Sequence, residues 1–342
     1  MSLSFDRAVQ SLAQSANALM DQPTVLALED IRELFEDDLQ WVERALTEAV
    51  RAQPEPATQA AEHLVSRGGK RIRPTTLLLA AACFGKIPRP AHEMAVVVEL
   101  IHTATLLHDD VIDDGRERRG APTPRVLWGN ALSVLSGDAL LVHALEKTQQ
   151  NAPELLSELL STLRSLVGGE IVQFRGRHQT DLSQATYESI LRDKTASLFR
   201  FAGHAGALLG GAPAAERAQL MQFGEHLGMA FQFVDDVLDY TSTNTGKTLY
   251  ADLLEGKITL PLALATRSDP QLGDWVKRVR EGEVQLIDEL RARVVATGAC
   301  TSVRLRAQAE TELAARALDG VRPSPARTLL VGIAQALVDR DR

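Results

Sequence analysis

Residues 100–114 read LIHTATLLHDDVIDD, and residues 228–239 read GMAFQFVDDVLD. Each is an apolar run with a helical period, and each contains the pattern Asp-Asp-x-x-Asp. Asp109, Asp110 and Asp113 form the first copy; Asp235, Asp236 and Asp239 form the second. Residues i and i+4 of a helix share a face. Asp109 therefore points with Asp113, and Asp235 with Asp239. Like charges at that spacing repel, so helices with such apolar bodies need a cation between these carboxylates. Oxygen donors without His or Cys suit Mg²⁺, which takes one or two carboxylates and fills its remaining positions with water and phosphate oxygens. A solvated acidic helix end, or a lattice with the nearby Arg116, Arg118 and Arg119, is the competing reading. The duplication on two separate apolar helices favours the metal.

Outward from these runs the period stays helical. Leu28, Ile31, Phe35, Leu39, Val42 and Leu46 recur three or four apart, as one buried stripe requires. The pattern predicts further helices over about 74–84, 91–114, 130–150, 153–175, 183–209, 214–241 and 257–267, and over most of the tail. Ala and Leu are abundant and strict polar/apolar alternation is scarce, which favours helix over strand. No Ser/Gly-rich linker and no fixed-period repeat divides the chain. The expected architecture is all-α: one helical domain over residues 28–342, preceded by a short amphipathic helical extension over residues 1–27.

The chain has 342 residues, 45% of them hydrophobic, which is enough for a large core and too apolar for disorder. Its 37 basic and 45 acidic residues leave a net charge of −8, which argues against a broad nucleic-acid footprint. Cys83 and Cys300 are the only cysteines, so no disulfide framework or thiolate metal site is expected, and a reducing cytoplasm is the simplest location. The start lacks the basic-then-apolar signature of a secretory signal. No apolar run reaches the ~18 residues of a membrane span.

Two basic sets break the acidic balance. Arg67, Lys70, Arg71 and Arg73 surround Gly68 and Gly69, a pair that lets backbone N–H groups approach an anion. Arg116, Arg118, Arg119 and Arg125 follow the first Asp cluster in a loop bearing Gly and Pro. Guanidinium groups suit diphosphate geometry. His102 lies two helical turns before Asp109 on the same face, a position fit for a ligand. Other motifs fail: Thr241–Thr248 ends in Gly-Lys-Thr but has Thr where a P-loop needs its first Gly, and His92-Glu93 lacks the second His of a zinc protease.

With these residues in place the chain resembles the trans-type polyprenyl diphosphate synthases, the head-to-tail prenyl chain elongation enzymes, over about residues 28–340. The resemblance rests on Gly68-Gly69-Lys70-Arg71-Ile72-Arg73-Pro74, Glu99 and His102, the first Asp cluster, and Arg118-Arg119-Gly120. It continues through Gly137-Asp138, Gly169-Glu170 with Gln173, Lys194-Thr195, Gln232 before the second cluster, Gly246-Lys247, Asp252, and Gly256-Lys257 with Thr259-Leu260-Pro261. Tyr250 departs from the pattern, standing where the family often has Gly.

The resemblance implies an all-α bundle around a deep central cavity, a homodimer, and three Mg²⁺ ions per active site. It implies that Asp109, Asp113, Asp235 and Asp239 hold the metals and that Arg118 helps grip the allylic prenyl diphosphate. Lys70, Arg73, His102 and Arg119 would hold isopentenyl diphosphate. Lys194, Thr195, Gln232, Lys247 and Lys257 would line the reacting region. A class I terpene cyclase would share the first cluster but would not need a second diphosphate site. A non-catalytic synthase subunit would lack the aspartates.

Product length is expected to depend on residues a turn or more before Asp109. Ala104 and Thr105 are small, Ile101, Val97 and Val98 lie beyond, and Ala139 is small on a facing segment. An open tunnel there would favour a product longer than farnesyl diphosphate, of the octaprenyl-like long-chain type. A farnesyl or geranylgeranyl diphosphate synthase is the short-chain alternative.

Overall fold

The computed structural model describes residues 22–177, 183–241 and 257–338, with side-chain surroundings from residue 35 onward. Helices dominate it. In chain order they are α1 (Gln22–Arg51), α2 (Ala57–Val65), α3 (Ile72–Ala82), α4 (Arg89–Ile112), α5 (Pro124–Trp128), α6 (Asn130–Asn151), α7 (Leu156–Gly176) and α8 (Gln184–Leu191). After a π-helical turn, Arg192–Ala196, come α9 (Ser197–Leu209), α10 (Ala214–Thr241), α11 (Leu260–Ser268), α12 (Gln271–Arg280), α13 (Ile287–Ala296), α14 (Ala299–Ala317) and α15 (Pro325–Val338).

Local chemistry explains the boundaries. Pro occupies the first turn of α4, α5 and α11, where no intrahelical N–H is lost. Ser183 caps α8, its hydroxyl accepting from Thr186 N at 3.1 Å. The expected helices match the observed ones to within a few residues. One feature was not expected: the loop after the first Asp cluster folds into a two-stranded hairpin, β1 (Glu117–Arg118) and β2 (Ala121–Pro122). Its turn residues Arg119 and Gly120 have φ of 52° and 70°. Two positive φ values mark the turn type that matches strand twist, and Gly supplies one of them at little cost.

α4 runs through the middle of the fold. Its residues from Glu93 to Ile101 are buried on every side, packed against α1, α3 and α6. A helix buried all round must be apolar or paired all round: Met94, Ala95, Val96, Val97, Val98, Leu100 and Ile101 are apolar, and Glu93 and Glu99 are paired with Lys147 and Arg71. α9 and α10 form a second packed pair, with α14 and α15 covering α10. Glycines bring these helices together. A Cβ on Gly206 of α9 would lie 2.1 Å from Leu77 O of α3, and one on Gly224 of α10 would lie 2.2 Å from Phe199 O of α9. The space gained is filled by Phe199, Phe201, Phe223 and Phe233, each almost fully buried and each contributing roughly 1.5–3 kcal/mol of burial.

α1 is continuous from Gln22, so residue 28 is an interior position of one helix. It is held to the body by Leu39, Val42 and Leu46, by Asp38 paired with His92 at 2.5 Å, and by Arg89 stacked 4.0 Å over Trp41. Cys83 and Cys300 are buried and free, and burial pushes both thiols up to about 11. Among the described residues no helix is long and apolar enough to cross a membrane.

Candidate active site

The first Asp cluster sits where α4 ends. Asp110, the middle aspartate, turns inward: it is 1% exposed and accepts from Arg118 Nε at 2.8 Å. Burial raises its carboxyl above the usual range against the opposing pull of Arg118, and its Oδ2 has no partner. Asp109 is half-buried and Asp113 buried, and both draw cations. Lys257 Nζ is 2.5 Å from Asp113 Oδ2, Arg177 pairs with Asp113 Oδ1, and Lys194 Nζ is 3.7 Å from Asp109 Oδ2.

The second cluster, near the end of α10, repeats the division of labour. Asp236 is 2% exposed; Tyr187 donates its hydroxyl to Oδ2, and Gln232 Nε2 donates to Oδ1 at 2.9 Å. Asp235 and Asp239 are half-buried. Asp235 acts electrostatically on Arg73 of α3.

The π turn joins the two clusters. Lys194 donates to Gln173 Oε1 at 2.7 Å, pairs with Glu170 of α7, and reaches toward Asp109. Its neighbour Thr195 donates to Gln232 Oε1 at 3.1 Å. A π turn inserted in a helix rotates successive side chains away from the α register, and such turns are frequent at functional sites. Gly169 makes room for it: a Cβ there would lie 2.8 Å from Lys194 N. Gly169→Ala is therefore expected to displace the turn. A cost of about 1–3 kcal/mol for such overpacking should appear as a lower melting temperature together with reduced kcat, read by calorimetry and steady-state assay.

The basic loop sorts its four cations. Arg71, in a left-handed conformation with φ 49°, points into the scaffold and pairs with Glu43 Oε1 at 2.5 Å and with Glu99. Burial works against its charge, yet the two carboxylates outweigh it and hold its pKa above normal. Arg67 leans on His63. Lys70 and Arg73 turn to the other side: Arg73 stacks 4.4 Å over Phe199, and Lys70 Nζ lies 5.8 Å over Phe231. Burial pulls Arg73 down to about 10, against Glu99 and Asp235, and its Nε has no partner.

Arg119 joins this group from the hairpin turn, donating to Leu64 O at 3.3 Å and to Gly68 O. Gly69 permits the approach, since a Cβ there would meet Arg119 Nη2 at 3.2 Å. Burial, with Arg73, Arg119, Arg118 and Arg71 around it, pushes the His102 imidazole well below its ordinary range. A neutral His beside crowded guanidiniums marks a positive potential that a bound anion would relieve. The linkage has a definite sign. Below about pH 6.5 the unfolded chain binds a proton on His102 that the folded chain refuses. Stability of the ligand-free protein is then complete above that pH and falls as pH drops. His102→Gln should show a smaller loss of melting temperature between pH 7 and pH 5.

The cations of the second basic set divide, and of the three arginines in the competing lattice reading Arg118 is the one paired within the Asp cluster, on Asp110. Arg125 pairs with Asp114 at 2.7 Å and Arg116 is exposed, whereas Arg118 and Arg119 turn inward. Lys247, Asp252 and Tyr250 lie outside the described residues. Ala104 differs from expectation. It has no exposed surface and belongs to the core with Leu100, Leu107 and Leu140, and Ile101, Val97 and Val98 are equally enclosed. Thr105 and Ala139 are the half-buried members of that group. The helix turns Thr105, not Ala104, onto the face of Asp109.

Reading the sequence left Arg177, Tyr187 and Glu43 without roles. Arg177 and Tyr187 lie in no motif, and Glu43 lies 28 residues from its partner Arg71, so pattern offered no signal for them. Asp109, Asp113, Asp235 and Asp239 offer carboxylate oxygens, and Asp113 attracts two cations at once; this is the chemistry a hard divalent ion requires. Among the described residues no three His, Cys, Asp or Glu side chains could hold a metal by themselves, so ligand oxygens would have to complete the shell.

The helical fold thus sets a pair of carboxylates from each cluster beside a group of cations. The family described as Polyprenyl synthetase matches residues 54–293. The All-trans-nonaprenyl-diphosphate synthase (geranyl-diphosphate specific) of Rhodobacter capsulatus is 35% identical over 91% of this chain and 98% of its own. The Octaprenyl diphosphate synthase of Escherichia coli is 35% identical over 92% and 99%. A crystal structure of polyprenyl synthase from Caulobacter crescentus, complexed with calcium and isoprenyl diphosphate, superposes with a TM-score of 0.86 at 36% identity, covering 92% of this chain and 98% of that one. The chain belongs to the polyprenyl synthetase family, and it is a prenyltransferase.

Proposed function

We propose that this enzyme condenses isopentenyl diphosphate with an allylic prenyl diphosphate to give an all-trans polyprenyl diphosphate longer than C15, with release of diphosphate. The observation that carries the reading is the π turn: Lys194 reaches the first Asp cluster while Thr195 engages Gln232 beside the second. Asp109 and Asp113 on one wall, with Asp235 and Asp239 on the other, would hold Mg²⁺, three ions in all. Bound there, the metal supplies Lewis-acid neutralisation of the departing diphosphate.

Arg118, Lys194, Lys257 and Lys247 follow the charge that moves onto that diphosphate as the allylic C–O bond breaks. Thr195 and Gln232, hydrogen-bonded to each other, would line the region of the developing cation. Lys70, Arg73, His102 and Arg119 fix isopentenyl diphosphate so that its double bond attacks the allylic carbon. One C–C bond forms, and the proton lost from the isopentenyl unit goes to the departing diphosphate. Phe199 and Phe231 help to exclude water near the cations.

The test is chromatography of products grown from labelled isopentenyl diphosphate on geranyl or farnesyl diphosphate with Mg²⁺. Products beyond C15 are expected. Arrest at farnesyl diphosphate would refute the long-chain reading, and product formed without isopentenyl diphosphate would favour a cyclase. Thr105 is the residue to alter for chain length. Thr105→Phe should shorten the product, because its face continues from Asp109. Ala104→Phe should instead cost about 1–3 kcal/mol of packing, seen as a lower melting temperature.

Leu135 and Val142 of α6, and Val167, Ile171 and Phe174 of α7, are exposed apolar residues at helical spacing. They support a homodimer, which light scattering of the purified chain would test. The N-terminal extension proposed for residues 1–27 shares α1 with the body from Gln22 onward, and the cytoplasm is the proposed location.

A further inference from the structure

Arg177 is not among the residues given a role above, yet it occupies the first Asp cluster. It follows α7 directly, and its side chain is only 10% exposed. Its Nη2 pairs with Asp113 Oδ1 and its Nη1 donates to Ile112 O at 2.9 Å. Its Nε is buried without a partner. Glu170 of α7 lies 3.8 Å from Nη2 through its Oε1, while its Oε2 is paired with Lys194. Asp113 meanwhile carries two cations, Arg177 and Lys257.

Both cations compete with a metal for Asp113. A divalent ion on this carboxylate draws on the same negative charge and repels the guanidinium beside it. Metal ligation by Asp113 therefore favours release of Arg177. The freed guanidinium then has one neighbouring carboxylate, Glu170, and an Nε–H that nothing satisfies in the ligand-free state. A buried guanidinium with a spare donor beside a metal–diphosphate site is suited to a phosphate oxygen, which accepts from the planar fork. We propose that Arg177 is a substrate-binding residue: it neutralises Asp113 in the ligand-free enzyme and passes to the allylic diphosphate, braced by Glu170, when the metal-bound substrate enters. This rests on the reading that Asp109 and Asp113 receive that substrate.

The two states predict opposite effects of one substitution. Arg177→Gln removes a cation that competes with the metal, so Mn²⁺, used as the probe, should bind the ligand-free protein about threefold more tightly or better, as judged by the paramagnetic resonance signal of the free ion. The same variant loses a charge-assisted contact to diphosphate, so the allylic KM should rise about tenfold. The KM for isopentenyl diphosphate should stay unchanged within error. Arg177→Lys, which keeps the charge and loses the fork, should fall between the variant and the wild type on both measures. A purely structural Arg177 would raise no metal affinity.

Wild-type Mn²⁺ affinity or wild-type allylic KM in Arg177→Gln overturns the proposal. Asp113→Asn, measured in parallel, separates the two levels. Undiminished Mn²⁺ binding there would overturn the metal reading of the cluster and this proposal with it. Weakened binding there, with Arg177→Gln unchanged, would overturn the Arg177 role alone. Should Arg177→Gln fail to fold, the wild-type enzyme crystallised with Mg²⁺ and an unreactive allylic thiodiphosphate decides: Arg177 on the diphosphate supports the handover, and Arg177 still on Asp113 refutes it.

Discussion

Asp109→Ala and Asp235→Ala should each lower kcat by about a thousandfold or more, with the helical fold and melting temperature essentially intact. Each removes one carboxylate of a proposed metal pair, and Lewis-acid stabilisation of a leaving oxygen is worth several kcal/mol, which converts at roughly 1.4 kcal/mol per tenfold. The fold should tolerate the change. Lys194 keeps Gln173 and Glu170 after Asp109 is gone, and relief of repulsion within the cluster opposes any loss. The middle aspartate gives the contrast. Asp236→Ala strands the Tyr187 hydroxyl and the Gln232 amide in the interior, at about 1–3 kcal/mol for each buried group left unsatisfied. Its melting temperature should fall clearly. Steady-state kinetics at saturating Mg²⁺, with circular dichroism melts, separate the two outcomes. Near-normal turnover in Asp109→Ala or Asp235→Ala would sink the two-cluster metal model.

Lys70→Ala and Arg73→Ala should chiefly weaken isopentenyl diphosphate, raising its KM about tenfold or more, since a charge-assisted contact is worth about 1.5–3 kcal/mol. Both side chains lean on Phe231, whereas the proposed allylic site is built on the Asp clusters, so the allylic KM should change less. Arg73→Ala carries a second signature. Removing this guanidinium takes away one of the charges that, together with burial, push His102 below its ordinary range, so the ligand-free protein should lose less stability as pH falls below about 6.5. A larger effect on the allylic substrate than on isopentenyl diphosphate would mean that the two diphosphate sites are assigned the wrong way round.

Much of this site was legible as pattern, and the illegible part has a consistent cause. Helical period is local, so the stripe from Phe35 to Leu46, the run into Asp109 and the run into Asp235 all declared themselves. The hairpin at Arg119-Gly120 was hidden because two-residue strands carry no period; only the positive φ values, a tertiary fact, reveal it. Ala104 was placed on the tunnel side because its size fitted, yet the packing of α4 against α6 turns it into the core and leaves Thr105 on the face of Asp109.

The sequence by itself determined an all-α chain of the polyprenyl synthetase family, with two carboxylate clusters at fixed helical spacing and a Gly-Gly-Lys-Arg turn. These follow from interactions within a few residues, where geometry is set by the helix alone. Tertiary structure decided which aspartate of each triplet is sacrificed to the scaffold, which arginines face the site, and which cations answer the remaining carboxylates. Arg71 points into the scaffold because Glu43 and Glu99 claim it, whereas Arg73 stacks over Phe199. Asp113 meets Arg177 from 64 residues away and Lys257 from 144. Charge pairing in a low-dielectric interior depends on which partners packing brings within a few ångströms, and that distance is not written in the local order of the chain.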